Sequence, residues 1–192
     1  LSFSLPRPRT VKSFDDDGRV MLCSGFSKTV GPGLRVGWLA PGRYCDQALH
    51  MKYVSTGASA TLPQLAVAEF VAKGHYERHV RYATRQYQRQ RDIMISWVQR
   101  YFPKGAGISY PQGSFLLWVE LPAAVDCVRL NQRLAQRAIH VAPGSLFSAS
   151  GKFRQCLRLN YAFTLTPEIE AAVRTVGEFA TEMVEEAQAH AA

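Results

Sequence analysis

One short segment near the start of the chain combines residue types that can do covalent chemistry. Lys28 lies in a small, polar, glycine-rich stretch, and Arg35 follows it by seven residues. A lysine held between two buried strands loses hydration of its ammonium group, which lowers its pKa and makes the free amine a nucleophile toward aldehydes. Arginine keeps its charge and offers a planar set of donors that matches a phosphate. The pair therefore predicts a site for pyridoxal phosphate (PLP), which requires a Schiff-base lysine and a phosphate-binding cation.

Two short apolar runs are predicted to position this segment. Residues 20–23 precede it and residues 36–40 follow it, and each run is typical of a short buried strand. Gly31, Gly33 and Gly37 would let the backbone approach a ligand closely. A buried strand–loop–strand with an incidental lysine is the structural alternative. A dinucleotide-binding loop is disfavoured, because the distance from Gly33 to Gly37 breaks the G-x-G-x-x-G spacing.

The stretch SGFSKTVGPGLRVGW resembles the Schiff-base lysine motif, S-x-S-K followed by P-G-x-R-x-G, of fold-type I PLP-dependent aminotransferases. In its details it is most similar to the aminotransferase-like domain of the MocR branch of GntR-type bacterial transcriptional regulators. The similarity continues through PQGSFLLWVELP, APGSLFSASG and CLRLNYAF, and so covers nearly the whole chain. The resemblance identifies the chain as the C-terminal half of such a domain.

The resemblance assigns the cofactor side of the site. It implies that Lys28 is the catalytic lysine, which holds PLP as an internal aldimine and transfers the α-proton of a bound amino acid. It implies that Arg35 binds the cofactor phosphate and that Ser27, just before the lysine, also contacts the cofactor. The family often has a phosphate-binding hydroxyl three residues before the lysine. This chain has Gly25 there, and Ser24, one place earlier, is the candidate for that contact.

The resemblance also assigns the substrate side. Arg158 matches the family arginine that binds the substrate α-carboxylate with two hydrogen bonds. The residues alone leave open a structural ion pair between Arg158 and a carboxylate of this chain, because a buried guanidinium needs a partner. Gly113 matches a glycine segment that passes close to the substrate, with a plain turn as its alternative. Residues 142–147 match a loop that borders the site, with an ordinary surface turn as the alternative.

Hydrophobic periodicity and the resemblance together predict an α/β fold in three parts. The parts are a partial large PLP-binding domain at 1–62, connecting helices at 63–102 and a small C-terminal α/β domain at 103–192. A long helix from Tyr76 to Tyr101 carries apolar residues at three- and four-residue steps, and only Gln90 interrupts this stripe. Residues 115–119 are apolar without alternation, which predicts a central strand covered on both faces. Asp126 is placed to cap a helix over 128–138.

Charge and hydropathy exclude several classes of protein. The net charge is +8, but the arginines are spread along helices and no DNA-reading motif is present. A supporting role near nucleic acid stays open, because a positive field attracts phosphates without reading sequence. No apolar run approaches the ~20 residues of a membrane span, and no signal peptide is expected. These features predict a cytoplasmic protein that has no membrane contact.

The cysteines and histidines give no sign of a metal site. The four cysteines are scattered without a C-x-x-C pair, which predicts reduced and mostly buried thiols. His75 and His79 lie four residues apart on the long helix, but no third ligand is evident, so exposed histidines are expected. The sequence therefore predicts a protein that binds no metal.

Transcriptional regulators of the MocR branch and free-standing aminotransferases share these motifs, so the sequence leaves two functions of different classes open. The favoured one is a PLP-binding effector domain of a MocR/GntR-type regulator, which senses an amino acid or amine, dimerises in the complete protein and binds DNA through a separate N-terminal winged helix. The alternative is a fragment of a free-standing class I/II aminotransferase of the 2-aminoadipate type. A PLP fold that has lost its cofactor is a third possibility, against which the presence of both Lys28 and Arg35 argues.

The start at Leu1, close to a predicted strand, is expected to be an internal point of a longer polypeptide. In the family, the aspartate that binds the PLP ring nitrogen, the aromatic ring that stacks on PLP and the donors to its phenolic oxygen all precede the lysine motif. This chain therefore holds about the C-terminal half of an active site, and alone it is not expected to transaminate.

Overall fold

The structure is a computed structural model and describes residues 1–4 and 6–191. Its strands and helices in chain order are β1 (Leu22–Gly25), β2 (Gly37–Ala40), α1 (Cys45–Thr56), α2 (Thr61–Ala72), α3 (His75–Tyr101), β3 (Gly107–Ile108), β4 (Leu116–Glu120), α4 (Cys127–Ala135), β5 (Ala142–Pro143), β6 (Cys156–Asn160) and α5 (Pro167–Ala191). The chain forms two compact units, and the boundary between them falls within the sequence of α3. The first unit is Leu1–Thr84 and the second begins at Arg85. The predicted division at 62 and 102 stays a prediction. The mixed α/β composition agrees with the predicted fold class.

The first unit contains a two-stranded sheet and the helices α1 and α2. Strands β1 and β2 are antiparallel, and Gly25 pairs with Gly37 at the end next to the loop. The predicted burial of these strands is wrong, because most of their residues are exposed. A two-stranded ladder leaves most of its surface open to solvent. Helix α1 likewise has no buried residue, and α2 has only Val67.

The second unit contains a four-stranded antiparallel sheet in the order β3-β4-β6-β5. β4 pairs along its whole length with β6, so its predicted central position is confirmed. Its predicted coverage on both faces is wrong: Leu117 and Val119 are fully buried, but Leu116 and Trp118 are only half-buried. An antiparallel sheet commonly packs one face on the core and leaves the other partly open. That open face carries Arg158.

The buried apolar residues are concentrated in the second unit. Among the described residues, all of them but Val67 and Ala83 belong to that unit. Those with the largest fully buried side chains are Tyr161, Met94, Leu117, Leu121, Leu130, Leu134, Leu157, Val98, Val119, Val125 and Cys127. Gly177 lets α5 approach the end of α3, because a Cβ at that position would overlap the Tyr101 carbonyl.

Local signals fix the two ends of α4. The Asp126 carboxylate accepts hydrogen bonds from the amides of Val128 and Arg129 at 2.9 and 3.1 Å, which confirms the predicted cap. The helix ends at Ala135 rather than at the predicted Ala138, because Ala138 has a left-handed φ of 55°. Its amide and that of the next residue turn back to the last carbonyls of the helix, as in a Schellman motif. Alanine is not a signal for this kind of helix end, since glycine usually occupies the position.

The cysteines divide evenly between core and surface. Cys127 and Cys156 are buried and Cys23 and Cys45 are exposed, and all four are free thiols. The prediction of mostly buried thiols is thus confirmed for only half of them. Within the described part of the chain, no three His, Cys, Asp or Glu side chains form a group that could hold a metal ion. Among the described helices, none combines the length and the apolar character that a membrane-spanning helix requires.

Candidate functional site

The loop between β1 and β2 is held by hydrogen bonds to one residue, Phe26. Its amide donates to the Val36 carbonyl at 3.0 Å, and its carbonyl accepts from the amides of Val30 and Gly31 at 2.7 and 3.1 Å. The Phe26 ring packs edge-on against Tyr76, with ring centroids 5.6 Å apart. Backbone and ring contacts together fix the short 3-10 helix Phe26–Lys28, and with it the position of the lysine.

Lys28 is exposed, so the predicted desolvation between two core strands is wrong in this structure. The physical reason is the open two-stranded sheet described above, which provides no buried interior. The structure does bring Ser27 and Arg35 together, with the guanidinium donating to the Ser27 hydroxyl at 3.5 Å. Arg35 has a left-handed φ of 52°, which turns the chain back toward β1 after the glycines. Ser24 lies on β1 opposite Trp38.

The loop has the chemistry of a phosphate site. Arg35 supplies a permanent cation and Ser27 supplies a hydroxyl beside it. An added Cβ at Gly31 or Gly33 would meet nothing within 4 Å, so the backbone is open to a close ligand there. The Thr29 hydroxyl is buried and has no hydrogen-bond partner in the described ranges, and the sequence analysis missed it. These groups fit the phosphate of PLP next to Lys28.

Arg158 lies on the partly open face of the second sheet. It pairs in register with Trp118 on one side and with Ala142 on the other. Its guanidinium lies 4.5 Å from the centroid of the Phe147 ring. Trp118 packs edge-on against Phe147 and Phe153, at 5.8 and 5.7 Å. No carboxylate forms an ion pair with Arg158 among residues 1–4 and 6–191, so the alternative of a structural ion pair finds no support.

The segment 142–147 contributes directly to this cluster. It forms β5 and a 3-10 turn, Gly144–Phe147, that ends at the ring under Arg158. Gly144 is needed at the start of the turn, because a Cβ there would overlap the Phe153 carbonyl and crowd Cys156. The loop thus contacts Arg158, the residue that the resemblance assigns to the substrate carboxylate, and its place beside a bound substrate stays a prediction.

The Gly113 segment is tied to the end of β6. The Tyr161 amide donates to the Phe115 carbonyl at 3.0 Å, and the Tyr161 hydroxyl donates to the Gly113 carbonyl at 3.5 Å. Ser114 between them has a left-handed φ of 73°. Burial raises the pKa of the Tyr161 hydroxyl to about 12, so this group stays a donor at neutral pH. Gly113 and Arg158 therefore lie in connected parts of the second unit.

Sequence analysis missed Arg91, which is a buried charged residue of this unit. Its side chain is 3% exposed, on the apolar stripe of α3. Arg91 follows Tyr87 by four residues and precedes Met94 by three, so it occupies a position of the apolar stripe. A charged residue at such a position is the sequence signal for a buried arginine. Gln90, which the sequence pattern marks as the interruption of the stripe, is only half-buried.

Comparisons with known proteins agree on one family. The model of the family described as aminotransferase class I and II matches residues 4–176. The HTH-type transcriptional regulator YjiR of Escherichia coli K12, itself uncharacterized, is 49% identical over 178 residues, which is 93% of this chain and 38% of YjiR. The uncharacterized HTH-type regulator YisV of Bacillus subtilis 168 is 30% identical over 185 residues, 96% of this chain and 38% of YisV.

A solved structure has the same fold over nearly the whole chain. LysN, an α-aminoadipate aminotransferase from Thermus thermophilus complexed with N-(5'-phosphopyridoxyl)-L-leucine, is 27% identical and superposes with a TM-score of 0.87. The match covers 96% of this chain and 48% of LysN. The chain thus spans less than half the length of each of these three proteins.

Proposed function

Since the chain belongs to the class I and II aminotransferase family, we propose that it forms the C-terminal part of a PLP-binding effector domain in a MocR/GntR-type transcriptional regulator, where it responds to an amino acid or amine. The observation that carries PLP binding is the pairing of Arg35 with Ser27 beside Lys28. The 49% identity to the regulator YjiR supports the choice of a regulator.

Each residue of the first unit has a distinct task in this proposal. Lys28 anchors PLP covalently through its amine, on a side chain that is exposed to solvent. Arg35 and Ser27 bind the phosphate, and Ser24 supplies a further hydroxyl from β1. When bound, PLP supplies a ring that withdraws electrons from the α-carbon of an amino acid. Lys28 then accepts or returns the proton at that carbon.

The second unit binds the amino acid in this proposal. Arg158 binds its carboxylate through two parallel hydrogen bonds, since no carboxylate of the described chain competes for the guanidinium. Gly113 lets the backbone approach the ligand closely. The groups that bind the PLP ring are expected upstream of Lys28, as are the winged helix that binds DNA and the rest of a homodimer.

Free-standing catalysis is the second candidate function. The observation that favours it is the 27% identity to LysN, an α-aminoadipate aminotransferase, over 96% of this chain. Two assays on the complete polypeptide separate the candidates. A regulator binds its operator DNA with an affinity that changes when amino acid and PLP are added, whereas an aminotransferase transfers the amino group of α-aminoadipate to a 2-oxo acid without any DNA response.

Borohydride trapping tests the central part of the proposal. The 192-residue chain is incubated with PLP, reduced and mapped by peptide mass spectrometry. We expect the phosphopyridoxyl group mainly on Lys28, and about tenfold less of it after Arg35→Ala, because losing the phosphate contact weakens binding. The exposed Lys52 and Lys73 are internal controls, and Lys28→Ala is the matched variant. If all lysines are labelled equally both in the 192-residue chain and in the complete polypeptide, the assignment of Lys28 as the PLP-binding lysine is refuted.

A further inference from the structure

The second unit contains a buried arginine that the proposed function does not use. Arg91 donates from Nη1 to the Pro111 carbonyl at 2.8 Å and from Nη2 to the Tyr110 hydroxyl at 3.0 Å. Its guanidinium also lies 4.2 Å from the centroid of the Tyr110 ring. Asp92 partly balances its charge, with Nη2 and the carboxylate 2.8 Å apart. These guanidinium donors of Arg91 are thus directed either to Tyr110 and Pro111 or to the Asp92 carboxylate.

Burying a guanidinium costs free energy, and the hydrogen-bond partners of Arg91 indicate what role its burial has in this unit. Leaving a charge in the core requires an excellent set of hydrogen bonds, and replacing such a group by apolar residues is often neutral or stabilising. A methionine or leucine would continue the apolar stripe of α3 without that cost. Arg91 instead directs donors to Tyr110 and Pro111, at the start of the segment that contains Gly113. The arrangement indicates a role in shaping that segment rather than in stabilising the core.

The segment from Tyr110 to Ser114 is held at both ends. Arg91 holds its start, while Tyr161 bonds to the carbonyls of Gly113 and Phe115 at its end. Ser114 adopts a left-handed φ of 73°, a conformation that a non-glycine residue adopts at some energetic cost. Such strain persists only where surrounding contacts over-determine the backbone. Tyr161 directly follows β6, so this end of the segment is tied to the strand that carries Arg158.

We infer that Arg91 is a positioning residue that holds the Tyr110–Ser114 segment so that Gly113 faces an amino acid bound at Arg158. The inference rests on the proposed function, since it needs an amino acid at Arg158. Arg91 itself touches neither the ligand nor the cofactor in this assignment. Its loss therefore weakens amino-acid binding while leaving PLP binding nearly unchanged.

Hydrogen exchange tests whether Arg91 holds the segment. The amides of Ser109 and Tyr161 report on the two ends, because they bond to the carbonyls of Trp118 and Phe115. In Arg91→Met we expect both amides to exchange roughly tenfold faster, while amides of α5 keep their rates. Unchanged exchange at both ends would show that the segment does not depend on Arg91. Arg89→Met, which replaces an exposed arginine on the same helix, is the matched control and should behave as wild type.

Ligand affinities of the complete polypeptide test the functional consequence. We expect Arg91→Met to weaken amino-acid binding roughly tenfold, because a small misplacement of a contact group is enough for a loss of this size. PLP affinity should stay within about twofold, since the cofactor phosphate is bound by a different loop. Arg91→Lys keeps one donor for the Pro111 carbonyl and should give an intermediate affinity.

A second variant keeps the inference testable if Arg91→Met does not fold. Tyr110→Phe removes a hydroxyl that bonds to Arg91 and keeps the ring, on a side chain that is 59% exposed. It should weaken amino-acid binding in the same direction by a smaller factor. Equal loss of both ligands in either variant, or no loss in both, overturns the inference alone. Failure of the wild type to bind any amino acid overturns the proposed function and the inference with it.

Discussion

The Arg158 guanidinium lies over an aromatic ring, and no carboxylate in the described ranges forms an ion pair with it. A cation on a ring face is stabilised by the quadrupole of the ring, but ring contact does not use up the guanidinium hydrogen-bond donors. The half-buried position also lowers the local dielectric, which strengthens binding to an anion. Phe147 therefore holds the Arg158 side chain in place and leaves its hydrogen-bond donors available to a ligand.

Substitution of Arg158 should separate the two ligands. In Arg158→Ala we expect amino-acid binding by the complete polypeptide to fall roughly a hundredfold, since a charged hydrogen-bonded pair at a binding site is worth about 2–5 kcal/mol. PLP affinity should change by less than about threefold. Arg158→Lys keeps the charge without the planar fork and should lie between the two. Titration with each ligand, followed by absorbance, measures both affinities, and equal losses would mean that the arginine is structural.

The thiols should react in two groups. Burial raises the pKa of Cys127 to about 12 and also raises the pKa of Cys156, while Cys23 and Cys45 are exposed. The thiolate is the reactive form, so at pH 8 we expect two fast and two slow reactions with a chromogenic disulfide reagent. Cys23→Ser and Cys45→Ser should each remove half of the fast phase. A single phase for all four thiols would contradict the buried positions.

Helix α4 shows how local chemistry sets the bounds of an element. Asp126 satisfies two amides at its start and also pairs with Arg154 at 2.6 Å. Partial burial raises the pKa of this carboxyl, but the bonds to Arg154 and to the two amides outweigh burial and lower it. At the other end, Ala138 takes the left-handed position that closes the helix. The carboxylate of Asp126 thus links the start of α4 to the turn before β6.

Loss of the Asp126 cap should destabilise the folded state by about 1 kcal/mol. Asp126→Ala removes both the cap and the ion pair, whereas Asp126→Asn retains a capping oxygen and should cost less. Because the folded pKa is lowered, the contribution of the charge is present above the unfolded pKa of about 3.9 and is lost as pH falls through the folded pKa. Urea unfolding of wild type and Asp126→Asn at pH 7 and pH 3 measures this. A stability difference that does not shrink at pH 3 would contradict it.

The ends of the helices were easier to predict from the sequence than the burial and the contacts of individual side chains. Gly74 marked the break before α3, and the cap at Asp126 and the start of α5 at Pro167 followed from local rules. Burial around Lys28 could not be predicted in this way, because the exposure of β1 and β2 depends on which other strands pair with them. Arg91 was missed because a charged residue on an apolar stripe looks like an interruption until its partners around Pro111 are known. A common role of Arg35 and Ser27 at one cofactor site was expected only from the family motif, and their mutual contact was not predicted.

At the scale of the whole molecule, the two units differ in what stabilises them. The second unit has a continuous core on one face of its sheet, and the first unit has few buried apolar side chains. Large apolar residues on α1 and α2 are exposed, including Leu49, Met51 and Leu62 at 60%, 65% and 80%. Since burial of apolar surface is the dominant favourable term in folding, the second unit should dominate the stability of this chain.

Hydrogen exchange should therefore divide the chain. We expect amides of β4, β6 and α5 to exchange only through global unfolding, and amides of β1 and β2 to exchange through local opening roughly a hundredfold faster or more. Peptide-level mass spectrometry on the 192-residue chain measures both sets under the same conditions. Comparable protection of β1 and β4 would show that the first unit is stabilised by contacts beyond its own described residues.

The close approach of α5 to the end of α3 at Gly177 has a consequence for tolerance to mutation. The obstacle to any side chain there is the backbone carbonyl of Tyr101, which has no alternative rotamer to adopt. Even alanine should lower stability by about 1–3 kcal/mol, the usual cost of overpacking. In a saturation library scored for growth, position 177 should reject every replacement as strictly as a ligand-binding position would. A map drawn from such scores would place a second hot spot on α5, far along the sequence from Lys28, whose cause is steric exclusion and not chemistry.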